Sequence, residues 1–302
     1  MKNINLIIKF LEYLENERKY SLHTVRSYKS DLTEFLNYID DTNKKNNLTN
    51  IDKSCIQDFI KKLVLSKFSD KTVQRKVASI KSFYKYLKNT KHIKHNISKY
   101  IASPKISKKL PHLLTRKEIN VLMNSPDLET YIGIRDKSIL EIFYSTGARI
   151  SEIVNIRTVD IEMEKKLIKI YGKGNKERYV ILGKDALNSV LDYLSIRMKI
   201  SNYDKENLYL YPAMKKSSKG HISYKSMYNL VKKYIKKVSN NEKLSPHSLR
   251  HSFATHLLEN GADIMSVKDL LGHKDLSSTQ IYTNVSIKKI KEVYKIAHPH
   301  AK

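Results

Sequence analysis

The chain lacks residues and segments that several classes of protein require. Its 302 residues contain one cysteine, Cys55, so no internal disulfide can form and a reducing compartment is expected. No apolar run approaches the roughly 18–20 residues needed to span a bilayer. Near the N-terminus, Lys9 interrupts the apolar stretch and three glutamates follow, which is unlike a signal peptide. We therefore expect a soluble, cytoplasmic protein with no membrane partner.

Acidic residues are also scarce. The chain has 57 lysines and arginines against 30 aspartates and glutamates, which gives a formal charge of +27. Residues 1–110 carry 24 basic and 10 acidic side chains, and the remainder carries 33 and 20. Because both halves are basic, a long polyanion that contacts both is the expected partner. An AT-rich genome would account for the preference for lysine over arginine, but it explains the positive sign of the net charge less well.

Residues 1–95 have the apolar periodicity of four helices. These helices are expected at about 4–18, after Ser21, at about 53–67 and after Ser69 as an N-cap. The apolar face of the first helix is predicted to contain Ile4, Ile7, Ile8, Leu11 and Leu14. The fourth helix also carries the basic residues Lys71, Arg75, Lys76, Lys81 and Lys85. These basic residues indicate a solvent-exposed helix face or a DNA-binding face about equally well.

Residues 96–112 form a basic segment without clear periodicity, which we interpret as an interdomain linker. A capping box at Thr115–Glu118 then opens a second domain, residues 113–302, with a helix. Leu167–Tyr171 and Arg178–Leu182 predict a β-hairpin around GKGNKE. Further helices are expected at about 130–146, 185–199, 223–238, 246–259 and 263–271, with a tail helix at about 286–296. The predicted fold class is mainly α with a small antiparallel β-sheet in the C-terminal domain.

The stretch SPHSLRHSFATH, residues 245–256, contains three histidines and an arginine at a predicted helix start. His247 and His251 have a spacing that suits a metal, but Ser248 stands where a zinc motif of the H-E-x-x-H kind needs glutamate. Arg250 lies on much the same helical face as His247 and is always charged, which favours an anion over a cation. The helix N-terminus favours an anion too. His251 is expected to support His247 from the core, and His256 and Phe253 are expected to be packing residues.

Three other segments offer groups of the same kind. They are TGARISE with Arg149, GKGNKER with Lys173, and LLGHKDLSSTQIYTNVS with His273 and Tyr282. Taken singly, each has an ordinary interpretation: a surface arginine, a turn lysine, and a tyrosine among 20 in the chain. The glycine-rich turn is not a P-loop, because G-x-x-x-x-G-K-[ST] is absent.

Four segments, in their order along the chain, resemble the sequence motifs of the tyrosine recombinase family, the site-specific DNA integrases. They are TGARISE, GKGNKER, PHSLRHSFATHLLENGAD and LLGHKDLSSTQIYTNVS. The N-terminal helices resemble that family's core-binding domain, so the resemblance covers nearly the whole chain. The chain is most similar to the Xer type, the enzymes of chromosome-dimer resolution. Ala148 and His300 depart from the usual residues, and the second departure concerns contacts of the tail.

The resemblance implies a chemistry for these residues. The implied catalytic set is Arg149, Lys173, His247, Arg250, His273 and Tyr282. Tyr282 would attack a DNA phosphodiester to form a 3′-phosphotyrosyl link, and the implied reaction uses neither metal nor cofactor. Glu152 is either a partner of an active-site cation or an exposed carboxylate on a helix face.

The resemblance also implies partners and a shape. Two domains would form a C-shaped clamp on double-stranded DNA at a specific site. Four protomers would assemble as a homo- or hetero-tetramer with a related recombinase, and the tail helix would pack on a neighbour. A septal DNA translocase is a possible activator.

Four alternatives stay open. One is a type IB topoisomerase-like enzyme that relaxes supercoils, and another is the integrase of a mobile element. A third is a DNA-binding protein that has lost catalysis, and a fourth is a metalloprotein.

Overall fold

The computed structural model describes residues 2–42, 47–102, 112–172, 177–197, 208–213, 220–272 and 284–299, with backbone alone for 2 and 284–290. The chain divides into two compact units, Met1–Lys109 and Leu110–Lys302.

The first unit contains the four helices that periodicity predicts. They are α1 (Lys2–Asn16), α2 (Leu22–Asp41), α3 (Lys53–Leu65) and α4 (Asp70–Asn89). Ser21, Asp52 and Ser69 each accept a backbone N–H of the following turn, which satisfies a donor that the helix leaves unpaired. The prediction of Ser69 as an N-cap is therefore confirmed.

Two predictions about helix faces need correction. Ile4 and Ile8 are about half exposed, and the buried face of α1 contains Leu6 and Phe10 instead. Lys76 does not lie on the outer face of α4. It is buried, because its Nζ binds Asp31 in the neighbouring α2 at 3.1 Å.

The chain between the two predicted domains is described only in part. Ile97–Tyr100 form a turn of 3-10 helix, and Ile101 is buried in the core of the first unit. Residues 103–111, which hold most of the predicted linker, lie outside the described part of the chain. The linker boundaries therefore remain a prediction.

The second unit is mostly helical. Its helices are α5 (Arg116–Met123), α6 (Tyr131–Thr146), α7 (Ile150–Ile153), α8 (Lys184–Arg197), α9 (Tyr224–Val238), α10 (Pro246–Glu259), α11 (Ile264–Leu271) and α12 (Asn284–Ala297). The capping box before α5 is formed as predicted: Thr115 N–H donates to Glu118 at 2.8 Å, and Glu118 N–H donates to Thr115 Oγ1 at 3.2 Å.

A small antiparallel sheet completes the second unit. Its strands are β1 (Ile161–Glu162), β2 (Leu167–Tyr171) and β3 (Glu177–Ile181), in the order β1-β2-β3. Ile168 pairs with Ile161 on one side and with Val180 on the other. The hairpin and the fold class are thus confirmed, and β1 is an addition to the prediction.

Helix α6 lies at the centre of the second unit. Its C-terminal half is buried on all sides, including the polar side chains of Glu141, Ser145 and Thr146. A helix buried all round needs no single apolar stripe, since neighbours cover every face. In the described ranges, no helix is long and apolar enough to cross a membrane.

Candidate active site

The candidate site begins at the turn after α6. Gly147 ends this helix in the left-handed conformation, with φ of 58°. A Cβ at Gly147 would lie 2.5 Å from the ring of Phe253 in α10. Glycine is therefore needed both for its backbone conformation and for the close approach of α10. The turn places Arg149 at the N-cap of α7.

Arg250 connects three elements around this turn. Its side chain is buried, and Nη1 donates a hydrogen bond to the carbonyl oxygen of Gly147. Its Nη2 donates to the carbonyl oxygen of Leu271, at the end of α11, at 2.7 Å. These bonds use two of the five N–H donors of a guanidinium, so the rest can serve a ligand.

Arg149 and Arg250 are close enough to repel each other. Burial, and after it the charge of Arg149, lowers the pKa of Arg250 to about 10. The guanidinium still carries its proton at neutral pH, since the pH lies well below that value. Two cations held together in this way attract an anion, as expected from the sequence for Arg250.

Glu152 holds Arg149 in place. Its Oε1 accepts a bond from Nη1 of Arg149 at 3.0 Å, and its Oε2 accepts the Arg149 backbone N–H at 2.7 Å. Burial alone would raise the pKa of Glu152, but the hydrogen bonds and charge of Arg178, with Arg149, hold it below its ordinary value. Of the two interpretations of Glu152, a partner of a cation is therefore correct, and an exposed carboxylate is wrong.

Sequence reasoning missed Arg178, which binds Glu152 through both oxygens, at 3.0 Å and 2.9 Å. The strand β3 shows a signal that would have identified it. Arg178 and Val180 are two residues apart, so they lie on the same face of the strand, and both are buried. A charged residue at an apolar position of a strand indicates a buried partner.

The histidines of α10 separate into two groups. His247 lies in the first turn of α10, three residues before Arg250. Its side chain is exposed, and it has interaction partners. His251 is exposed as well, so the expectation that it supports His247 from the core is wrong. The two share one helix face at i and i+4, and that face is turned to solvent. Within the described ranges, no group of three or more His, Cys, Asp or Glu could hold a metal.

His256 and Phe253 are packing residues, as predicted. Both are buried, and Nδ1 of His256 is hydrogen-bonded to the hydroxyl of Tyr144 at 2.9 Å. Burial lowers the pKa of His256, so the ring is neutral at ordinary pH. The face of α10 opposite His247 thus belongs to the core.

Three of the six predicted catalytic residues lie outside the described part of the chain. They are Lys173, His273 and Tyr282. The described chain reaches close to each of them: Gly172 precedes the first, Gly272 precedes the second, and α12 begins two residues after the third. Their roles remain predictions.

The tail helix packs within its own unit at its described end. Tyr294 is buried, its hydroxyl lies 2.7 Å from Ser145 Oγ, and its ring stacks on His298 at 4.4 Å. Asn260 donates a hydrogen bond to the carbonyl oxygen of Ala297 at 2.6 Å. The side chains of residues 284–290 lie outside the described part of the chain, so packing of the tail helix on a neighbour stays a prediction. Burial also raises the pKa of Tyr294 well above its ordinary value, which makes it a poor nucleophile.

Comparisons with known proteins place the chain in a family. Residues 112–289 match the model of the Phage integrase family, and residues 7–91 match its N-terminal SAM-like domain. The chain is 38% identical to a tyrosine recombinase XerC of Thermodesulfovibrio yellowstonii, over 98% of this chain and 97% of the relative. It is 35% identical to a tyrosine recombinase XerD of Staphylococcus epidermidis, over 98% and 99%.

Solved structures share the fold. A XerH site-specific recombinase bound to its palindromic difH substrate matches with a TM-score of 0.70 at 22% identity, over 96% of this chain and 84% of that one. A lambda integrase dimer bound to a core site matches with a TM-score of 0.66 at 16% identity, over 93% and 100%. Since the first family model covers more than half of the residues, and since the relatives align over almost the whole length, the chain belongs to the Phage integrase family, the tyrosine recombinases.

Proposed function

We propose that the chain breaks and rejoins DNA through Tyr282, with Arg149, Lys173, His247, Arg250 and His273 as the other catalytic residues. Membership of the tyrosine recombinases makes the chain an enzyme of site-specific DNA cleavage and rejoining. The observation that carries the proposal for this site is the cluster of guanidiniums at the Gly147 turn. Arg149 and Arg250 lie close together there and repel each other, which prepares the site for a phosphate.

The reaction begins with attack on the phosphorus by the hydroxyl oxygen of Tyr282. A phenol, with a pKa of about 10, ionises far more readily than a serine hydroxyl. Its proton passes to His247, the bond from phosphorus to the 5′ oxygen breaks, and a 3′-phosphotyrosyl link forms. Lys173 supplies the proton that the departing 5′ oxygen needs.

Negative charge on the non-bridging oxygens increases in the transition state. Arg149 and Arg250 stabilise it with forked donors, and His273 adds a hydrogen bond. The phosphotyrosyl link retains the energy of the phosphodiester. A 5′ hydroxyl of another strand can therefore reverse the reaction, and the proposed cycle uses neither cofactor nor metal. We expect adducts to form in EDTA, and loss of adducts on chelation with recovery on zinc addition would contradict the proposal.

Both units are proposed to bind double-stranded DNA. The basic excess in residues 1–110 is as large as in the remainder, and each unit matches its own family model. On this proposal, residues 1–95 are the core-binding domain, 96–112 a basic linker and 113–302 the catalytic domain, which together close on the duplex as a C-shaped clamp.

The biological role is proposed to be Xer-like resolution of chromosome or plasmid dimers in the cytoplasm. Relatives named XerC and XerD, at 35–38% identity over nearly the full length, support this role over that of a mobile-element integrase. One of the solved structures that share the fold is a lambda integrase dimer bound to a core site, which supports a multimer on DNA. A tetramer with identical or related subunits, and activation by a septal DNA translocase, follow as proposals.

Covalent trapping tests the proposed function. The protein is incubated with nicked duplexes from its own replication terminus region, and adducts are mapped by peptide sequencing. Tyr282→Phe should bind DNA and form no adduct. Tyr294→Phe is the matched control, since it removes a buried hydroxyl of the same type, and it should still form the adduct. Adducts that persist in Tyr282→Phe would assign the nucleophile to another residue.

A further inference from the structure

Arg178 occupies an unusual position for an arginine. It lies in β3 on the same inward-facing side as Val180, and only 6% of its surface is exposed. A buried guanidinium is costly unless its charge and its hydrogen bonds are both satisfied. An apolar side chain of similar length would avoid that cost, so packing alone does not account for the arginine.

The partner of Arg178 is the carboxylate that holds Arg149. Nη1 and Nη2 of Arg178 donate in parallel to Oε1 and Oε2 of Glu152, at 3.0 Å and 2.9 Å. Two parallel bonds fix the plane of the carboxylate as well as its position. The same two oxygens accept the side chain and the backbone N–H of Arg149. The orientation of Arg149 therefore depends on that of Arg178.

Arg178 also contacts the chain just before His273. Gly272 ends α11 with φ of 64°, and a Cβ there would lie 3.0 Å from Nε, Cζ and Nη1 of Arg178. Glycine is required at this point by its conformation and by the close approach of the guanidinium. Arg178 thus contacts two of the segments that carry predicted catalytic residues, and it follows the third, the Lys173 turn, in sequence.

We propose that Arg178 is a positioning residue for strand cleavage: it orients Glu152, and Glu152 orients the guanidinium of Arg149 toward the scissile phosphate. The side chain of Arg149 is 39% exposed, so without a fixed carboxylate its long chain would sample other rotamers. A donor that is oriented before the reaction stabilises the transition state without reorganisation. Lysine cannot replace Arg178 fully, because it is a point charge without a fork.

This inference rests on the proposed function, and its test uses single-turnover cleavage of a nicked duplex at saturating DNA. Arg178→Met and Arg178→Lys should form the adduct about 10–100-fold more slowly, with little change in Kd for DNA, because misplacement of a catalytic group lowers the rate by about this factor. Arg197→Met is the matched control. Arg197 is buried in the same unit and donates to Leu210 O at 3.2 Å, outside this network. The folded fraction of the Arg197→Met variant should cleave at the wild-type rate. A wild-type rate for Arg178→Met would overturn the proposal.

A double-mutant cycle separates positioning from a general structural effect. Arg178→Met and Glu152→Gln should lose rate through the same contact, so the double variant should be about as slow as Glu152→Gln alone. The double variant also removes both buried charges, which keeps the test available where a single variant leaves an ion unpaired and does not fold. Losses that multiply in the double variant would contradict the proposed route.

A substrate with sulfur at the bridging 5′ position identifies the oxygen on which Arg178 acts. A thiolate leaves without a proton, because a thiol has a pKa near 8.5. Arg178→Met should stay slow on this substrate, since Arg149 serves the non-bridging oxygens. Rescue by sulfur would instead place the effect of Arg178 on the leaving group and overturn the inference. Absence of a Tyr282 adduct in the wild type would contradict the proposed function itself.

Discussion

The two units each bury a carboxylate between two cations, and the two networks differ in net charge. In the first unit, Asp31 accepts hydrogen bonds from Arg75 and, at 3.1 Å, from Lys76. Lys76 also reaches Glu34 at 2.7 Å. Two cations and two carboxylates balance here. A balanced network can remain buried without a ligand, because no charge is left uncompensated.

The network of the second unit carries surplus positive charge. Glu152 is shared by Arg149 and Arg178. Burial first, and then the positive charges of these two arginines, lower the pKa of Arg250. Among the described residues of this network, three guanidiniums therefore lie near one carboxylate, which binds Arg149 and Arg178. The exposed part of Arg149 leaves room for a second anion. The comparison shows that charge balance, more than burial, separates a structural network from an anion-binding one.

The largest expected effect concerns the balanced network. Asp31→Asn removes the buried carboxylate and leaves Lys76 with the half-exposed Glu34 as its remaining carboxylate partner, so the first unit should lose about 3 kcal/mol of stability. Urea unfolding of the full chain, followed by a probe in the first unit, measures this loss. Asp58→Asn is the control: its pair with Lys61 is exposed, and it should cost about 1 kcal/mol or less. Equal losses in the two variants would show that the Asp31 network is not buried in solution.

The next effect concerns the surplus network. Arg250→Ala removes a donor aimed at the phosphate and should slow adduct formation by about 10²–10³-fold at saturating DNA. Arg157→Ala is the control, because Arg157 is an arginine of the same unit that is bound to Asp160 at 3.0 Å and lies outside the guanidinium cluster. If Arg157→Ala slowed adduct formation as much, the loss would not be specific to the site.

Acid should weaken the second unit through Glu152. Its pKa is lowered in the folded state, so its contribution to stability is present above the unfolded pKa of about 4.3 and is lost as the pH falls through the folded value. The unfolding free energies of wild type and Glu152→Gln should therefore converge on acidification from pH 7. A difference that stays constant down to pH 3 would contradict a charged Glu152.

The smallest effect concerns DNA contact by α4. If its exposed face binds phosphates, Lys85→Gln should reduce the slope of log K against log salt by about 0.9. Lys61→Gln, which changes an exposed lysine of α3 paired with Asp58, should leave the slope unchanged. The wild-type slope itself should be several units, and a flat salt response would argue against a clamp of two basic units.

Local signals were sufficient to predict most helices. Ser69 and Thr115 were identified as caps because a cap binds N–H groups within the next turn. The strand β1 was not predicted, since two residues show no alternation and pair only when β2 is beside them. The exposure of Ile4 and Ile8 also escaped the prediction, because an apolar stripe can be wider than the neighbour that covers it.

Sequence by itself determined the four helices of the first unit, the hairpin of the second, the basic charge of both and the order of the family motifs. These features follow from periodicity, caps and composition, which act over a few residues. Tertiary structure alone decided that Lys76 and Tyr294 are buried and that Arg178 binds Glu152, 26 residues away in the chain. The physical reason is that burial and pairing of a side chain depend on which distant segment packs against it, and no local pattern records that segment.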